Sequence, residues 1–409
     1  MTHPVSVDSM SPARFRRLTL VLGALSAFAP LSIDMYLPAF PRIVEDLHAT
    51  PGAVQASLAV FLAGLAVGQL IYGPLSDRYG RRGPLIAGVL LYAVASALAA
   101  LVTSVEQLIA VRLLQAMGGS AGMVIGRAMI RDLFDGRDAA RVFSSLMLVV
   151  GLAPILAPIL GGQLLVVAGW RAMFWVLTVI GLTAALAVWL GLEESLPAER
   201  RSGAGVGGML RAWGALLRDR AFVAFTLSGG CVMAGLFAYI TNSPMVLIEQ
   251  HGVSPQLYGL IFGGNALGMV ILSQVNVRLL RRFCETRILR VAVLAYAAGG
   301  AVLLAAAVTG AGGLAGLLAP LFVCIASIGC IMANGAASAM ARAHSNAGGA
   351  AALMGVLQFV LGAGTGAAVG ALDNGTAVPM AAVIAAMGLV TVALVRVAVA
   401  SAAVTSAAR

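Results

Sequence analysis

The amino-acid sequence predicts an all-α membrane protein whose twelve transmembrane helices form two six-helix halves. The first observation is composition, because 60% of the 409 residues are hydrophobic and only 10% are charged. A soluble domain carries roughly 45–50% and about 25% of these classes, so lipid is the expected solvent for much of this chain. The second observation is a series of apolar runs, each close to the about 20 residues that a helix needs to cross a bilayer. The third is that arginines collect between those runs.

Each apolar run is bounded by charged or turn residues and is predicted to be one span. A charged, glycine-rich connection separates the sixth run from the seventh, and we expect a bundle at 1–192, a cytoplasmic linker at 193–220 and a second bundle at 221–409. This length leaves no room for a soluble catalytic domain. The spans are predicted at 18–38, 54–72, 84–103, 107–127, 141–163, 172–191, 221–242, 257–277, 288–308, 314–337, 351–371 and 377–398.

Arginine placement predicts the orientation in the membrane. The formal net charge is +10 and the chain has no lysine. If the N-terminus lies in the cytoplasm, the periplasmic connections carry only Arg42 and Arg171. An arginine excess in the opposite loops is the positive-inside pattern, so both termini are expected in the cytoplasm and the spans in a bacterial inner membrane. The arginines predicted on the cytoplasmic side are Arg14, Arg16, Arg17, Arg78, Arg81, Arg82, Arg131, Arg137, Arg200, Arg201, Arg211, Arg218, Arg220, Arg278, Arg281, Arg282, Arg287 and Arg342.

The two halves repeat in sequence. A shift of 200 positions places Gly64 on Gly264 and Gly68 on Gly268, and three arginines of the loop after span 2 also match. Parallel repeats of this kind suit two halves related by a pseudo-two-fold axis along the membrane normal, which rock around a central site. The match is short and partly glycine, which leaves coincidence as the alternative. The matching arginines are Arg78 with Arg278, Arg81 with Arg281 and Arg82 with Arg282.

The loop between spans 2 and 3 reads Gly73-Pro-Leu-Ser-Asp77-Arg78-Tyr-Gly80-Arg81-Arg82. Topology alone would explain its arginines but not Asp77, which weakens the positive-inside signal. The GxxxDRxGRR spacing closely resembles the signature loop of the major facilitator superfamily. That resemblance implies that Asp77 latches the cytoplasmic ends of helices and that Arg81 takes part in conformational switching. We expect Arg131, at the end of span 4, to pair with Asp77; the candidate switch residues are Gly73, Asp77, Arg78, Gly80, Arg81 and Arg131.

Two further motifs resemble those of the same superfamily. In span 4, Arg112-Leu-Leu-Gln-Ala-Met-Gly118 is similar to the RxxQGxG motif, with Ala116 in place of its first glycine. In span 5, the segment 151–162 is similar to the GPxxGG motif linked with antiporters, with Ala157 in place of its first glycine. The alternative for span 5 is structural, because proline and glycine permit kinks and close packing in membrane helices. The span 5 candidates are Gly151, Pro154, Pro158, Gly161 and Gly162.

The resemblance narrows further at three segments, in spans 1, 7 and 11. The segments 30–41, 239–244 and 353–359 are similar to those of the Bcr/CflA group of drug-exporting facilitators. The overall resemblance to that group extends over nearly the whole chain. The resemblance implies proton-coupled efflux of small drugs such as bicyclomycin and chloramphenicol. It further implies a monomer that uses the proton gradient and no cofactor.

Two ionisable residues are predicted inside the membrane, where such groups are expensive and usually mark a pathway or relay. Asp34 of span 1 and Arg112 of span 4 both lie on the order of 5–10 Å below the periplasmic boundary. Our hypothesis is that Asp34 binds and releases the coupled proton and that Arg112 tunes its protonation. The alternative is that Asp34 caps a helix or forms a structural pair with Arg112.

Five polar residues are candidates for lining a substrate cavity. Each could instead serve packing or hydrogen bonding between helices. They are Tyr36, Tyr239, Asn242, Asn265 and Gln358.

Other function classes fit the sequence poorly. An ATP-driven pump needs a GxxxxGK[ST] loop, which is impossible without lysine. The four histidines are scattered, and the four cysteines form no CxxC pair, so neither a metal site nor an enzyme is expected. The basic charge lies between apolar runs rather than on a soluble face, so no nucleic-acid partner is expected. The remaining alternative is a facilitator that imports or exports a metabolite such as a sugar, an organic acid or an amino acid.

Overall fold

The structure is a computed structural model that describes residues 12–134, 136–201, 205–343 and 347–407. In these residues the chain is helical apart from short turns and loops, with no β-strand. Eleven helices are long and apolar enough to cross a membrane, and a bent pair, Arg17–Ser26 with Phe28–Asp46, supplies a twelfth span. The number of spans and the all-α class agree with the prediction.

Spans 2, 4 and 5 run one to two turns further than the apolar runs that predict them, at the ends nearest the signature loop, whereas span 3 is no longer than its run. A separate helix, Gly205–Leu216, lies within the predicted linker between spans 6 and 7. Residues 1–11 of the predicted first bundle and residues 202–204 of the predicted linker lie outside the described residues. Spans 2 to 12 are the helices Pro51–Tyr79, Arg82–Leu101, Val105–Leu133, Gly136–Ala168, Trp170–Gly191, Arg220–Pro244, Pro255–Leu279, Glu285–Thr309, Gly313–Met340, Ala347–Ala371 and Val378–Ala407.

Span 1 is broken where its prolines remove backbone donors. Pro30 cannot donate to the carbonyl of Ser26, and the first segment ends at that residue. Pro38 cannot donate to the carbonyl of Asp34, and the second segment, Phe28–Asp34, ends there. A 3-10 turn and the helix Phe40–Asp46 complete the span. The sequence therefore places Asp34 at a helix end within the membrane.

The internal repeat is visible in packing. Gly68 of span 2 lies against Ser120 of span 4, and Gly268 of span 8 lies against Phe322 of span 10. The second span of each half therefore packs through a matching glycine against the fourth span of the same half. Gly64 has the same role in span 2, whereas a side chain on Gly264 would meet open space.

The halves meet along spans 2 and 11 and along spans 5 and 8. Backbones approach closely at the ends opposite the signature loop: a Cβ on Gly52 would lie 2.6 Å from the carbonyl oxygen of Gly370. Close by, Nε2 of Gln55 donates to Oδ2 of Asp373 at 3.2 Å. The two halves are therefore closed against each other on the side predicted to be periplasmic.

Candidate functional site

The signature loop forms a charge network that joins spans 2, 3 and 4. The guanidinium of Arg81 is 9% exposed, donating to Asp77 Oδ1 at 2.5 Å and to Asp132 Oδ2 at 2.9 Å. The structure therefore pairs Asp77 with Arg81 instead of the predicted Arg131, because Arg81 lies one turn further along the chain. Arg131 is exposed beside the start of span 11, where a Cβ on Gly348 would lie 3.0 Å from its Nη1.

Glu194, just beyond span 6, caps the start of span 3. Its carboxylate accepts from the backbone N–H of Arg81 at 2.7 Å and of Arg82 at 3.1 Å. Burial alone would raise the pKa of Glu194, but the N–H groups of Leu196, Arg81 and Arg82 and the charge of Arg201 lower that pKa overall. The carboxylate is therefore held ionised, and it ties the end of the first half to the signature loop.

The two signature-loop glycines have different surroundings. Gly80 has φ 90° and ψ 169°, a region that is essentially restricted to glycine. Gly73 lies within the last turns of span 2, and a side chain there would meet nothing within 4 Å. Arg78 stacks over the ring of Tyr79 at 5.3 Å. Only Gly80 is thus required by the backbone of the loop.

Asp34 is 4% exposed and has no hydrogen bond or ion pair to any described residue. The 3-10 turn that follows, Leu37–Ala39, packs against spans 7 and 8. The carboxylate lies within electrostatic range of the phenols of Tyr239 and Tyr258 on those spans. Asp34 therefore faces the opposite half of the molecule.

Arg112 is fully buried and is surrounded by aromatic rings. Its guanidinium lies over Phe61 at 4.1 Å, Tyr36 at 4.8 Å and Phe174 at 6.0 Å. Nη1 donates to Oε1 of Gln115 at 2.6 Å, whereas Nε and Nη2 have no partner. Such a site holds a planar cation by cation–π attraction.

The structure does not bring Asp34 and Arg112 together as an ion pair. Tyr36 faces Arg112 and bonds Ser57 at 2.9 Å. Asp34, at the end of the preceding helix, instead lies within electrostatic range of Tyr239 and Tyr258 of the second half. Between them, the backbone of Met35 packs against Gly161 of span 5. The turn after Asp34 is thus in contact with both halves.

The five candidate cavity residues do not form one cluster. Tyr36 lies against Arg112 in the first half, and the other four are on spans 7, 8 and 11. Nδ2 of Asn265 donates to the Tyr239 hydroxyl at 3.0 Å. Asn242 is fully buried, and neither amide atom has a partner. Gln358 is half-buried beside Gly229 of span 7, about 15 Å from the level of Tyr239 at 1.5 Å per residue.

The span 5 motif lies at the interface with the second half. A Cβ on Gly162 would lie 2.6 Å from the carbonyl oxygen of Pro255, and the carbonyl of Pro158 approaches Gly259 equally closely. Gly151 lies near Val270, also on span 8. Pro154 and Pro158 are both inside the helix Gly136–Ala168. The motif therefore supplies the close backbone contact between spans 5 and 8.

Sequence reasoning missed several of these partners. Gln115, three residues after Arg112, was visible as an i,i+3 pair on one helix face. The contacts of Glu194 with span 3 and of Gln55 with Asp373 join distant parts of the chain, and no local pattern marks them.

Comparisons with known proteins agree with this architecture. Residues 22–371 match the family model described as Major Facilitator Superfamily. The chain is 40% identical to the "Uncharacterized MFS-type transporter YdgK" of Bacillus subtilis, covering 90% of this chain and 91% of that protein. It is 32% identical to the "Bicyclomycin resistance protein homolog" of Haemophilus influenzae, covering 91% and 94%.

A third relative is the "Chloramphenicol resistance protein" of Pseudomonas aeruginosa, 31% identical over 74% of this chain and 72% of that one. Among solved structures, a peptide transporter in complex with alafosfalin matches with a TM-score of 0.75 at 14% identity, over 98% of this chain and 96% of that one. At that identity the match concerns the fold alone. The family model and the two relatives that span nine-tenths of the chain establish that this protein belongs to the major facilitator superfamily and is a membrane transporter, not an enzyme.

Proposed function

We propose that this transporter exports small amphiphilic drugs across a bacterial inner membrane in exchange for protons, and that Asp34 is the proton-binding group. The observation that carries the proposal is the buried carboxylate of Asp34, at a helix break and without a partner among the described residues. An unpaired charge in such surroundings is costly. Proton uptake removes that charge.

The position of Asp34 couples its protonation to the motion of the halves. The carboxylate is carried by the first half but faces Tyr239 and Tyr258 of the second. When the halves rock apart on either side, the hydration of this carboxylate changes, and hydration favours its charged form. A substrate that enters between the halves competes for the same space. Arg112, enclosed within the first half, stacks on Tyr36 and so holds the turn that follows Asp34.

The drug class is supported by the relatives and by the polar groups in the interface. Two relatives are named for resistance to bicyclomycin and to chloramphenicol, both small compounds. The side-chain amide of Asn242 has no hydrogen-bond partner at either its nitrogen or its oxygen. Asn242 lies on span 7, three residues after Tyr239, whose hydroxyl accepts from Asn265. The arginine distribution supports cytoplasmic termini. We further propose that the protein works as a monomer, with the proton gradient as its energy source.

The experiment uses inverted membrane vesicles in which respiration acidifies the lumen. Addition of chloramphenicol or bicyclomycin to the natural protein should release lumenal protons, as read by acridine orange fluorescence. Asp34→Asn should abolish that release while leaving the amount of protein in the membrane unchanged. The matched control is Glu45→Gln, an exposed carboxylate at the end of span 1.

Two results would overturn the proposal. One is full proton release by Asp34→Asn. The other is an absence of response to a panel of small drugs together with uptake of a sugar, organic acid or amino acid, which would favour a metabolite facilitator.

A further inference from the structure

The loop between spans 8 and 9 repeats the arginines of the signature loop without their partners. Arg281 corresponds to Arg81 under the 200-residue shift, but Val277 stands where the first half has Asp77. Arg81 is buried and bonded to two carboxylates, whereas Arg281 is exposed. The arginine of this motif is therefore paired with carboxylates inside the first half, whereas its counterpart in the second half is exposed.

Five arginines make up this exposed group, which we call the 8–9 arginine cluster. All five are exposed, and in the described chain, which includes this whole loop, none of their guanidinium groups has a hydrogen-bond acceptor or carboxylate partner. Arg287 only stacks on Phe283 at 5.0 Å. Glu285 is the single acid within the loop. The members are Arg278, Arg281, Arg282, Arg287 and Arg290.

Apolar side chains alternate with the cluster at the membrane boundary. Val277 is 55% exposed, Leu280 44% and Phe283 39%, and all three lie at the end of span 8 or just after it. Apolar residues interleaved with arginine suit the boundary between acyl chains and headgroups. Guanidinium groups bind phosphate through paired hydrogen bonds. The surroundings therefore match a phospholipid better than a soluble anion.

We propose that the 8–9 arginine cluster is a binding site for anionic phospholipid, whose headgroup phosphates supply the counter-charge that the described residues do not provide. The apolar residues Val277, Leu280 and Phe283 contact the upper acyl chains. The signature loop does not form an equivalent site, because Asp77 and Asp132 already neutralise Arg81.

The test uses the full-length protein in nonionic detergent, with a fluorophore on Cys284. That thiol lies inside the cluster and is the exposed one of the four cysteines, the other three being buried. Phosphatidylglycerol and phosphatidylcholine, each with a nitroxide near the headgroup, are titrated as quenchers. We expect phosphatidylglycerol to quench at a several-fold lower mole fraction than phosphatidylcholine, and added salt to reduce this preference.

Matched variants locate the effect. Arg281→Gln with Arg282→Gln should remove the preference for phosphatidylglycerol. Arg211→Gln with Arg218→Gln, the same charge change at exposed linker arginines, should retain it. Thermal unfolding of each variant without lipid reports folding, and native mass spectrometry of the natural protein gives an independent count of retained phosphatidylglycerol.

The proposal is overturned if the two lipids quench alike, if the loop variant keeps the preference, or if unlabelled inorganic phosphate displaces the quenching lipid at millimolar concentration. It does not depend on the proton role of Asp34, because none of these measurements requires transport.

Discussion

The guanidinium of Arg112 is held by aromatic rings and an amide, without a carboxylate. Its plane lies over Phe61 and Tyr36, and Gln115 accepts its single side-chain hydrogen bond. A lysine at this position keeps the charge but loses the planar fork and its stacking. Each of these interactions is worth about 1–2 kcal/mol when desolvated. We expect Arg112→Lys to lower the rate of drug-driven proton release at least about tenfold.

The control for this variant is Arg171→Lys. Arg171 also stacks on an aromatic ring, that of Trp170 at 4.2 Å, but it is 41% exposed. An exposed cation–π contact is worth only about 0.5–1 kcal/mol, so transport should change less than about threefold. Equal losses in the two variants would contradict the special role of the enclosed site.

Gly80 and Gly73 provide a second comparison at the level of single residues. Gly80 adopts a backbone conformation that costs other residues about 1–3 kcal/mol, and a side chain would strike the carboxylate of Glu194. Gly80→Ala should therefore destabilise the charge network of the signature loop and lower the unfolding temperature. Gly73→Ala should have little effect on either stability or transport, since its side chain meets open space. A similar loss of stability in both would show that the motif glycines act through something other than backbone geometry.

From the sequence we could predict how deep in the membrane Asp34 and Arg112 lie, but not which way their side chains point. Depth follows from residue counting along a helix. Direction depends on where span 1 breaks, and the side chains of Asp34 and Tyr36 diverge at that break. Pro30 and Pro38 contain the information on the break, because each lacks the N–H that the helix would use. The azimuth of each span within its bundle depends on tertiary packing, which spacing does not supply.

At the scale of helices, spans 5 and 8 test whether the span 5 motif acts through packing. A Cβ on Gly162 would lie 2.6 Å from the carbonyl oxygen of Pro255, too close for either backbone to stay in place. Gly162→Ala should push the halves apart on the closed side and lower transport about tenfold or more, because glycine at this interface permits direct backbone contact. The readout is drug-driven proton release in proteoliposomes.

Gly264→Ala is the matched control in span 8. This glycine is also helical and lies close to the same interface in sequence, but an added methyl meets nothing within 4 Å. Alanine has a higher helix propensity than glycine, so stability should be unchanged or slightly higher. If Gly162→Ala transported as well as Gly264→Ala, the motif's glycines would not be needed for packing.

For the whole molecule, the sequence predicts the fold well and the contacts between halves poorly. Hydrophobicity, arginine placement and the 200-residue shift rest on local patterns, and the twelve spans and the parallel repeat follow from them. The repeat also conceals a difference, because the arginines of one loop are paired internally and those of the other are exposed. The contacts that close spans 2 and 11 against each other join residues more than 300 positions apart, such as Gln55 and Asp373. No spacing within one half indicates them.

The bond between Gln55 and Asp373 gives the last prediction, which concerns the balance between closed and open states. Gln55 is fully buried and donates to Asp373 across the interface between spans 2 and 11. Gln55→Leu keeps the volume but removes the donor, a loss of about 1.5–3 kcal/mol for a hydrogen bond to a charged group. Because opening breaks this bond in any case, the variant should raise the open-to-closed ratio about tenfold or more.

The measurement is the distance between spin labels at Glu45→Cys and Thr376→Cys, two exposed positions on opposite halves at the closed side, with Cys284 replaced by serine. Gln55→Leu should broaden this distance distribution toward longer values. Gln107→Leu is the control, because Gln107 bonds only Thr103 and Ser104 within its own half. An unchanged distribution in Gln55→Leu, or the same broadening in both variants, would mean that the closed state does not depend on the Gln55–Asp373 bond. The close approach of Gly52 to Gly370 would then have to hold the two halves together by packing alone.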